Sequence, residues 1–333
     1  MTFIGIDPAA ETFTAACYPE GPPKTFDNSN EGIQAFVTWL EGQDHSPETS
    51  HLCLENTGVY SEMLCYGLHN KGWSLSLIEP VKVWRAFQES RPKTDALDSL
   101  KIAEYGYRYQ DKLVPWQPHA AIIEQIKVLL STREQLVEHK TTLSNSRKAL
   151  ARKVVQTPTA NTTLDTTVSY LKEQIKALET EIRRLIDQHP TMAQMVSIIT
   201  TAPGIGLLVA AHLLVLTEGF RVPVRYARLS NYLGLAPHVH ESGTSVFKKA
   251  RTRGYGPSML RKLLHLAARS VCQHKPHYRQ YYQRKQAEGK SKKLVLNNVS
   301  NKLLRMLCSM IKNKRPYIEG YQSIRPTKLA STA

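Results

Sequence analysis

The first 19 residues alternate apolar and polar positions and are rich in β-forming side chains. An interruption at Pro8-Ala9-Ala10-Glu11 predicts a β-hairpin whose first strand ends at Asp7. Short apolar runs at His51–Leu54 and Trp73–Ile78 predict two buried strands. Apolar residues at helical spacing predict four helices, at Asn30–Leu40, Ser61–Asn70, Val81–Gln88 and Asp95–Tyr107. The order β-β-(β)-α-β-α-β-α predicts an α/β domain with a mixed sheet and helical cover, as in ribonuclease-H-like folds.

Two long helical stretches follow, at residues 119–155 and 164–187. Apolar residues of the second recur at alternating steps of four and three, which is a heptad seam: Leu164, Val168, Leu171, Ile175, Leu178, Ile182 and Leu185. A weaker seam runs through the first stretch: Ile122, Ile126, Leu129, Leu136, Leu143 and Leu150. The segment Gln156–Thr163 is expected to break the two helices. A coiled-coil arm that mediates self-association and an intramolecular bundle both fit this pattern.

Residues 192–333 predict mostly short helices, with a polar loop at Ala236–Val246. An apolar helix ends at Leu216, and two amphipathic helices rich in Lys and Arg are expected at Pro257–Val271 and Leu294–Lys312. The chain therefore divides into three expected domains. These are an α/β domain at 1–115, a helical hairpin or coiled coil at 116–190, and a basic, mostly α-helical domain at 191–333.

Charge is distributed unevenly between these parts. The chain has 44 Lys and Arg against 28 Asp and Glu, a net charge of +16. Residues 1–115 hold 16 acidic and 9 basic residues, whereas from Val246 onward 21 basic residues face two acidic ones. Such asymmetry predicts that the C-terminal half binds a polyanion such as nucleic acid.

The five cysteines have neither a C-x-x-C motif nor paired spacing, so we expect neither structural zinc nor disulfides. Reduced thiols suit the cytoplasm. Met1 leads straight into a strand, which argues against a signal peptide. The most apolar run, Ile205–Leu216, is too short to cross a bilayer, so no membrane partner is expected.

Four acidic residues are candidates for a metal site. Asp7 and Glu55 each close an apolar strand, and Asp95 and Asp98 lie three residues apart at the start of a helix. Carboxylate oxygens are the ligands that Mg²⁺ prefers, and two such ions can stabilise the entering and leaving oxygens of a phosphoryl displacement. Singly, each acid is better explained as a turn or cap residue, with Thr94-Asp95 suited to an N-cap. Their joint occurrence favours a metal site.

Ser242 lies in Glu241-Ser242-Gly243-Thr244-Ser245, ahead of Lys248, Lys249, Arg251 and Arg253. Cationic side chains would stabilise the charge that develops when a serine attacks a phosphodiester, although an ordinary turn explains the motif more often. Gly204 and Gly206 resemble the hairpin of helix-hairpin-helix DNA binders, about as well as they fit a tight helix–helix turn.

Weaker candidates accompany these motifs. His238 and His240 could bind a metal, although solvated loop histidines are commoner. Tyr278, Tyr281 and Tyr282 could be recombinase nucleophiles, although phosphate contact or packing explains them better.

Together these stretches resemble the DEDD-type insertion-sequence transposases, with the related Piv-type DNA invertases. The matching stretches run in order along nearly the whole chain: Gly5-Ile6-Asp7, Leu54-Glu55-Asn56-Thr57-Gly58, Lys93-Thr94-Asp95-Ala96-Leu97-Asp98, Pro203-Gly204-Ile205-Gly206, Gly234-Leu235-Ala236-Pro237 and Glu241-Ser242-Gly243, then Arg261.

The resemblance implies a RuvC-like N-terminal domain whose Asp7, Glu55, Asp95 and Asp98 bind Mg²⁺. It implies that Ser242 is a nucleophile that forms a transient 5′-phosphoserine link to DNA. It also implies a tetramer, as a dimer of dimers, in which the acidic site and the serine come from different protomers. Donor and target double-stranded DNA would be recognised through a structured guide RNA encoded by the element. Such a protein would be bacterial, cytoplasmic and associated with the nucleoid.

Other functions fit parts of the sequence. A Piv-like invertase would use the same chemistry without a mobile element, and a RuvC-like resolvase would cleave DNA with water alone. An actin-like sugar kinase also opens with Gly-Ile-Asp, yet the chain shows no second glycine-rich phosphate loop. A non-enzymatic nucleic-acid scaffold would explain the charge and not the four acids.

Overall fold

The structure is a computed structural model. It describes residues 1–19, 21–87, 94–222, 224–242, 246–252 and 256–320, and within 238–252 it describes the backbone alone. The chain divides into two compact units, Met1–Pro118 and His119–Ala333. Each unit has its own hydrophobic core. The predicted division of the second unit into an arm and a basic domain stays a prediction.

The first unit is built on a five-stranded mixed sheet. Its strands are β1 Thr2–Pro8, β2 Thr12–Tyr18, β3 Lys24–Asp27, β4 Ser50–Glu55 and β5 Leu75–Ile78. They lie in the order β3-β2-β1-β4-β5. The neighbouring pairs β1–β2 and β2–β3 are antiparallel, whereas the pairs β1–β4 and β4–β5 are parallel. The predicted hairpin and the mixed α/β sheet are therefore confirmed.

Helices cover both faces of this sheet. They are α1 Asn30–Glu41, α2 Val59–Asn70, α3 Pro80–Phe87 and α4 Asp95–Arg108. Ile4 and Ile6 pack with residues of α1 and α2, whereas Phe3 and Cys53 pack with residues of α3 and α4. Successive side chains of a strand point to opposite faces, so Gly5 and Asp7 share the α4 face with Phe3.

The second unit begins with two 30-residue helices, α5 Ala121–Leu150 and α6 Pro158–Asp187. They form an antiparallel pair, because Arg133 Nε contacts Glu179 Oε1 at 2.7 Å while Arg147 Nε contacts Asp165 Oδ2 at 3.0 Å. The predicted break at Gln156–Thr163 is too long, since α6 already begins at Pro158. Proline suits the first helical position because its missing N–H has no partner there in any helix.

In the described part of this unit, six helices and a strand pair follow: α7 Pro190–Thr200, α8 Leu207–Leu216, α9 Tyr226–Tyr232, β6 Pro237–Ser242, β7 Val246–Thr252, α10 Ser258–His274, α11 Pro276–Ala287 and α12 Lys292–Asn313. The apolar helix α8 lies in the core, with Leu213 and Leu214 fully buried. A helix dominated by apolar residues on all sides is expected to be buried in this way.

The predicted polar loop at Ala236–Val246 is wrong. Residues 237–242 and 246–252 form the antiparallel strands β6 and β7, with Pro237 opposite Thr252 and Ser242 opposite Val246. Side-chain polarity favours exposure without preventing backbone pairing, and a two-stranded ladder satisfies the backbone N–H and C=O groups of such a segment.

All five cysteines are free and buried, and burial raises the pKa of the Cys17 thiol to about 11 and of the Cys53 thiol to about 12. In the described part of the chain, no helix combines the length and the apolar character that crossing a membrane requires.

Candidate metal and DNA-cleavage site

Two of the predicted acids meet because of the register between β1 and β4. The parallel pairing sets Ile6 opposite Leu54, so Asp7 and Glu55 follow as the next residues on adjacent strands. Both side chains emerge on the face covered by α4. A hydrogen bond joins the two carboxyl groups.

The other two acids come from the first turn of α4. Thr94 caps this helix, since its Oγ1 accepts a hydrogen bond from the Leu97 N–H at 3.3 Å. Asp95 is the first helical residue and is exposed, whereas the Asp98 side chain is 18% exposed. The partial positive charge of a helix N-terminus stabilises carboxylates in this turn.

Gly5 sets the distance between α4 and the sheet. A Cβ at this position would lie 2.0 Å from the Ser99 carbonyl oxygen and 2.3 Å from the Ala103 nitrogen. Both atoms belong to the backbone of α4, so the helix crosses β1 in direct backbone contact. This close approach brings the first turn of α4 to the same end of β1 as Asp7.

The pKa of the Asp7 carboxyl is raised by its surroundings, which include the other three acids. Burial, the charges of Glu55, Asp95 and Asp98, and the hydrogen bond to Glu55 together raise the pKa of its carboxyl from 3.8 to about 7, with burial as the largest cause. Each neighbouring negative charge makes ionisation of Asp7 less favourable. Lys101 offsets part of this charge, with its Nζ 3.4 Å from Asp98 Oδ1.

The chemistry of these side chains fits Mg²⁺. Among the described residues, no three His, Cys, Asp or Glu side chains stand close enough to enclose a metal ion. Mg²⁺ does not require such a cage, because it commonly binds one or two carboxylates and completes its shell with water and phosphate oxygens. Asp7 and Glu55 supply such a pair, and their mutual repulsion is what a divalent cation would relieve.

Ser242 is the last residue of β6, and Lys248, Lys249 and Arg251 lie on the paired strand β7. The register sets His238 opposite Arg251 and His240 opposite Lys248. The predicted contact residue Arg253 and the residues Gly243 to Ser245 lie outside the described part of the chain.

The turn that contains Gly204 and Gly206 joins α7 to α8, so it lies between two helices as in a helix-hairpin-helix motif. Gly204 has φ +72°, and a Cβ there would meet Val271 and Ala267 of α10 at 3.0–3.5 Å, so its backbone packs on that helix. Gly206 precedes α8 and has open space around it. A cavity of about 470 Å³ opens beside the turn. Phosphate binding by this turn stays a prediction.

Arg261 and the tyrosines have structural contacts. The Arg261 Nη1 donates to the Leu233 carbonyl at 3.0 Å. Tyr278 is 8% exposed, and burial raises its pKa to about 12. Lys302 Nζ lies 3.6 Å from the centre of the Tyr281 ring. Packing therefore explains Tyr278, which is one of the two structural explanations that the sequence left open.

Sequence reasoning missed a group of polar residues beneath β6. Asn297 and Asn301 of α12 both donate to the Leu235 carbonyl, at 3.1 and 2.9 Å. Two asparagines spaced i, i+4 on an amphipathic helix are the signal that could have drawn attention to them.

Two family models match this chain. One described as "Transposase", of the DEDD type of IS110, covers residues 4–156, and one described as "Transposase IS116/IS110/IS902 family" covers residues 196–283. The chain belongs to the IS110 family of transposases. As an IS110-family protein it is a DNA transposase or recombinase that acts on DNA. The first model spans all four acids and the second spans Ser242.

Curated relatives of this IS110-family chain include invertases and insertion-element proteins. The pilin gene-inverting protein of Moraxella bovis is 29% identical over 95% of this chain and 97% of its own length. An uncharacterised IS110 insertion-element protein of Streptomyces coelicolor is 32% identical over 45% of this chain and 36% of its own length. The family is thus related to the Piv-type invertases, as predicted.

Among solved structures, "Thermus thermophilus RuvC structure" aligns with 35% of this chain and 100% of its own at 13% identity and a TM-score of 0.25. A complex of the same protein with a Holliday junction substrate gives a TM-score of 0.27. Because both scores are low, the fold assignment rests on the strand order and directions of the sheet itself.

Proposed function

We propose that this protein cuts and rejoins DNA in a Mg²⁺-dependent reaction in which Asp7, Glu55, Asp95 and Asp98 hold the metal. The observation that carries the proposal is the pairing of Asp7 and Glu55 at the ends of adjacent parallel strands, with Asp95 and Asp98 near enough for their charges to act on Asp7. In the absence of a cation, burial and the neighbouring negative charges raise the pKa of the Asp7 carboxyl and so disfavour its ionised form. When bound, Mg²⁺ would neutralise phosphate oxygens and the leaving oxygen.

In the proposed reaction, Ser242 is the nucleophile. Its Oγ bonds to the phosphorus, the bond from phosphorus to the 3′ oxygen breaks, and the serine proton ends on that 3′ oxygen. The DNA 5′ end is then held as a phosphoserine. Attack by the 3′ hydroxyl of another strand reverses these steps and frees the serine. One phosphodiester replaces another, so the exchange needs no external energy source.

Two features of the second unit support nucleic-acid binding during this reaction. Basic residues outnumber acidic ones by 19 from Val246 onward, and β7 carries three of them opposite the strand of Ser242. We propose that this surface holds donor and target DNA and a structured guide RNA, whose backbones attract the same cations. Binding to chromosomal DNA would keep the protein on the nucleoid.

The helical arm supports the proposed assembly into a tetramer. The seam residues Leu164, Val168 and Leu171 at the N-terminal half of α6 are only half-buried in the single chain. Pairing of two arms would bury the remainder of this seam, which is how heptad repeats associate.

A site-specific invertase is the second candidate. The relatives that match over nearly their whole length are pilin gene-inverting proteins, whereas the insertion-element relatives match over less than half of theirs. Genomic context separates the two functions. A non-coding flank that encodes a structured RNA supports transposition, and inverted recognition sequences around a neighbouring gene support inversion.

The test of the serine chemistry uses a supercoiled plasmid that carries the gene with its native flanking DNA. We expect wild-type protein and Ser245→Ala to form a detergent-resistant protein–DNA adduct, and Ser242→Ala to form none while its unfolding stays cooperative. Ser245 is a matched control because it is a hydroxyl three residues away in the sequence. Strand cleavage that survives in Ser242→Ala would instead support hydrolysis by water.

A further inference from the structure

The segment that leads into β6 is held at one carbonyl by two asparagines. Asn301 Nδ2 and Asn297 Nδ2, on successive turns of α12, donate to the Leu235 oxygen at 2.9 and 3.1 Å. A carbonyl oxygen has two lone pairs, so both are filled from the same helix. Arg261 of α10 donates to the Leu233 oxygen two residues earlier, at 3.0 Å.

Asn301 is itself fixed from its other side. Its Oδ1 accepts hydrogen bonds from Ser230 Oγ at 2.8 Å and from Tyr226 OH at 3.2 Å. Both hydroxyls belong to α9. The amide group can satisfy these two donors and the Leu235 carbonyl in one orientation alone, because its oxygen and its nitrogen are then both engaged. Asn301 therefore ties α9, α12 and the start of β6 together.

The chain that follows β7 packs close to the residues that precede β6. Gly256, which follows β7, has φ +80°, and a Cβ there would lie 1.8 Å from the Tyr232 oxygen. The chain thus leaves the body of the unit just after Leu235 and returns to it against Tyr232. Leu233 and Leu235 are 0% and 1% exposed, so the base of the strand pair is embedded in the core.

Ser242 lies at the far end of the strand that this base supports. From Pro237 to Ser242 an extended strand covers about 16 Å, at roughly 3.3 Å per residue. A tilt of about 10° at the base would therefore shift the serine by about 3 Å, whereas a misplacement of about 1 Å can cost a reaction about 100-fold. A small change in the direction of β6 at Leu235 therefore becomes a larger displacement of Ser242.

We infer that Asn301, assisted by Asn297, is a positioning residue that aims the strand carrying Ser242. This inference rests on the proposed function, because it takes Ser242 as the nucleophile. The two asparagines need not contact DNA. Their role is to restrict the direction in which β6 leaves the core, so that the serine is held in place before the DNA binds.

The test compares Asn301→Ala with Asn313→Ala, both on α12. Asn313 is the exposed last residue of the helix, and within the described part of the chain its side chain donates only to Ser309 Oγ, at 3.2 Å. With the plasmid substrate at saturating concentration, we expect Asn301→Ala to form the Ser242 adduct about 10- to 100-fold more slowly. Asn313→Ala should react at the wild-type rate. DNA affinity should be unchanged in both, which separates positioning from binding or unfolding.

Asn301→Ala is expected to fold, because Asn297 still donates to the Leu235 carbonyl. If it does not fold, Asn297→Ala decides, since it removes one donor and leaves the contacts to Ser230 and Tyr226. If the variant that folds forms the adduct at the same rate as Asn313→Ala, the inference is overturned. Failure of the proposed function is a different result, namely a wild-type adduct that persists in Ser242→Ala.

Discussion

Replacing Gly5 with alanine tests how the four acids are held together. The new Cβ would lie 2.0 Å from the Ser99 carbonyl oxygen, and ordinary contact begins at 3.4 Å, so α4 must move away from β1. No side-chain rotation can relieve this clash, because the contacting atoms belong to the backbone. Overpacking of this kind costs about 1–3 kcal/mol of stability or more.

The movement of α4 should also damage the site. It carries Asp95 and Asp98 away from Asp7, and a displacement of about 1 Å can lower a rate by about 100-fold. We therefore expect Gly5→Ala to lose most of its Mg²⁺-dependent cleavage in addition to stability. Its affinity for DNA should remain, because the basic residues lie in the second unit.

Thermal or denaturant unfolding and the plasmid cleavage assay measure these two effects. Gly42→Ala is the matched control, since Gly42 ends α1 with φ −67° and a Cβ there would be 3.4 Å from its nearest neighbour. That variant should behave as wild type. Wild-type stability and cleavage in Gly5→Ala would refute the close packing of α4 on β1.

Two further predictions concern titratable groups. The folded pKa of Asp7 is raised, so its stabilising contribution is complete below about pH 4 and is lost as pH rises to about 7. After allowance for solvent screening, wild type should lose roughly 2 kcal/mol relative to Asp7→Asn across this window in metal-free buffer, and Mg²⁺ should restore stability more at pH 8 than at pH 6. Parallel profiles for the two proteins would contradict this. The five buried thiols should react with a thiol reagent only after denaturation, and rapid labelling of the native protein would contradict their burial.

Much of the first unit could be predicted from local pattern. Apolar runs at the strands and helical spacing at α1 to α4 decide which faces are buried, and burial is the dominant constraint on such elements. The meeting of Asp7 and Glu55 also follows, because both close parallel strands. The close crossing at Gly5 could not be predicted, since a glycine in a strand does not reveal which backbone approaches it.

The second unit was harder to predict because its polar residues find partners far away in sequence. The polarity of residues 236–246 suggested a loop, yet the backbone pairs across β6 and β7. The i, i+4 spacing of Asn297 and Asn301 marks them as unusual, but the partners of Asn301, Ser230 and Leu235, lie more than 60 residues earlier in the chain and could not be predicted from local pattern. Ser242 and its cationic neighbours rest on the family resemblance and remain a prediction.

The most direct test of covalent strand exchange is peptide mapping of the protein–DNA adduct by mass spectrometry. Wild-type protein is incubated with Mg²⁺ and the supercoiled plasmid, and the product is digested with protease and nuclease. We predict a nucleotide attached through phosphoserine to the peptide that carries Ser242, and no such peptide from Asp7→Asn. A nucleotide on Tyr278, Tyr281 or Tyr282, or efficient cleavage without any covalent intermediate, would contradict the proposed mechanism.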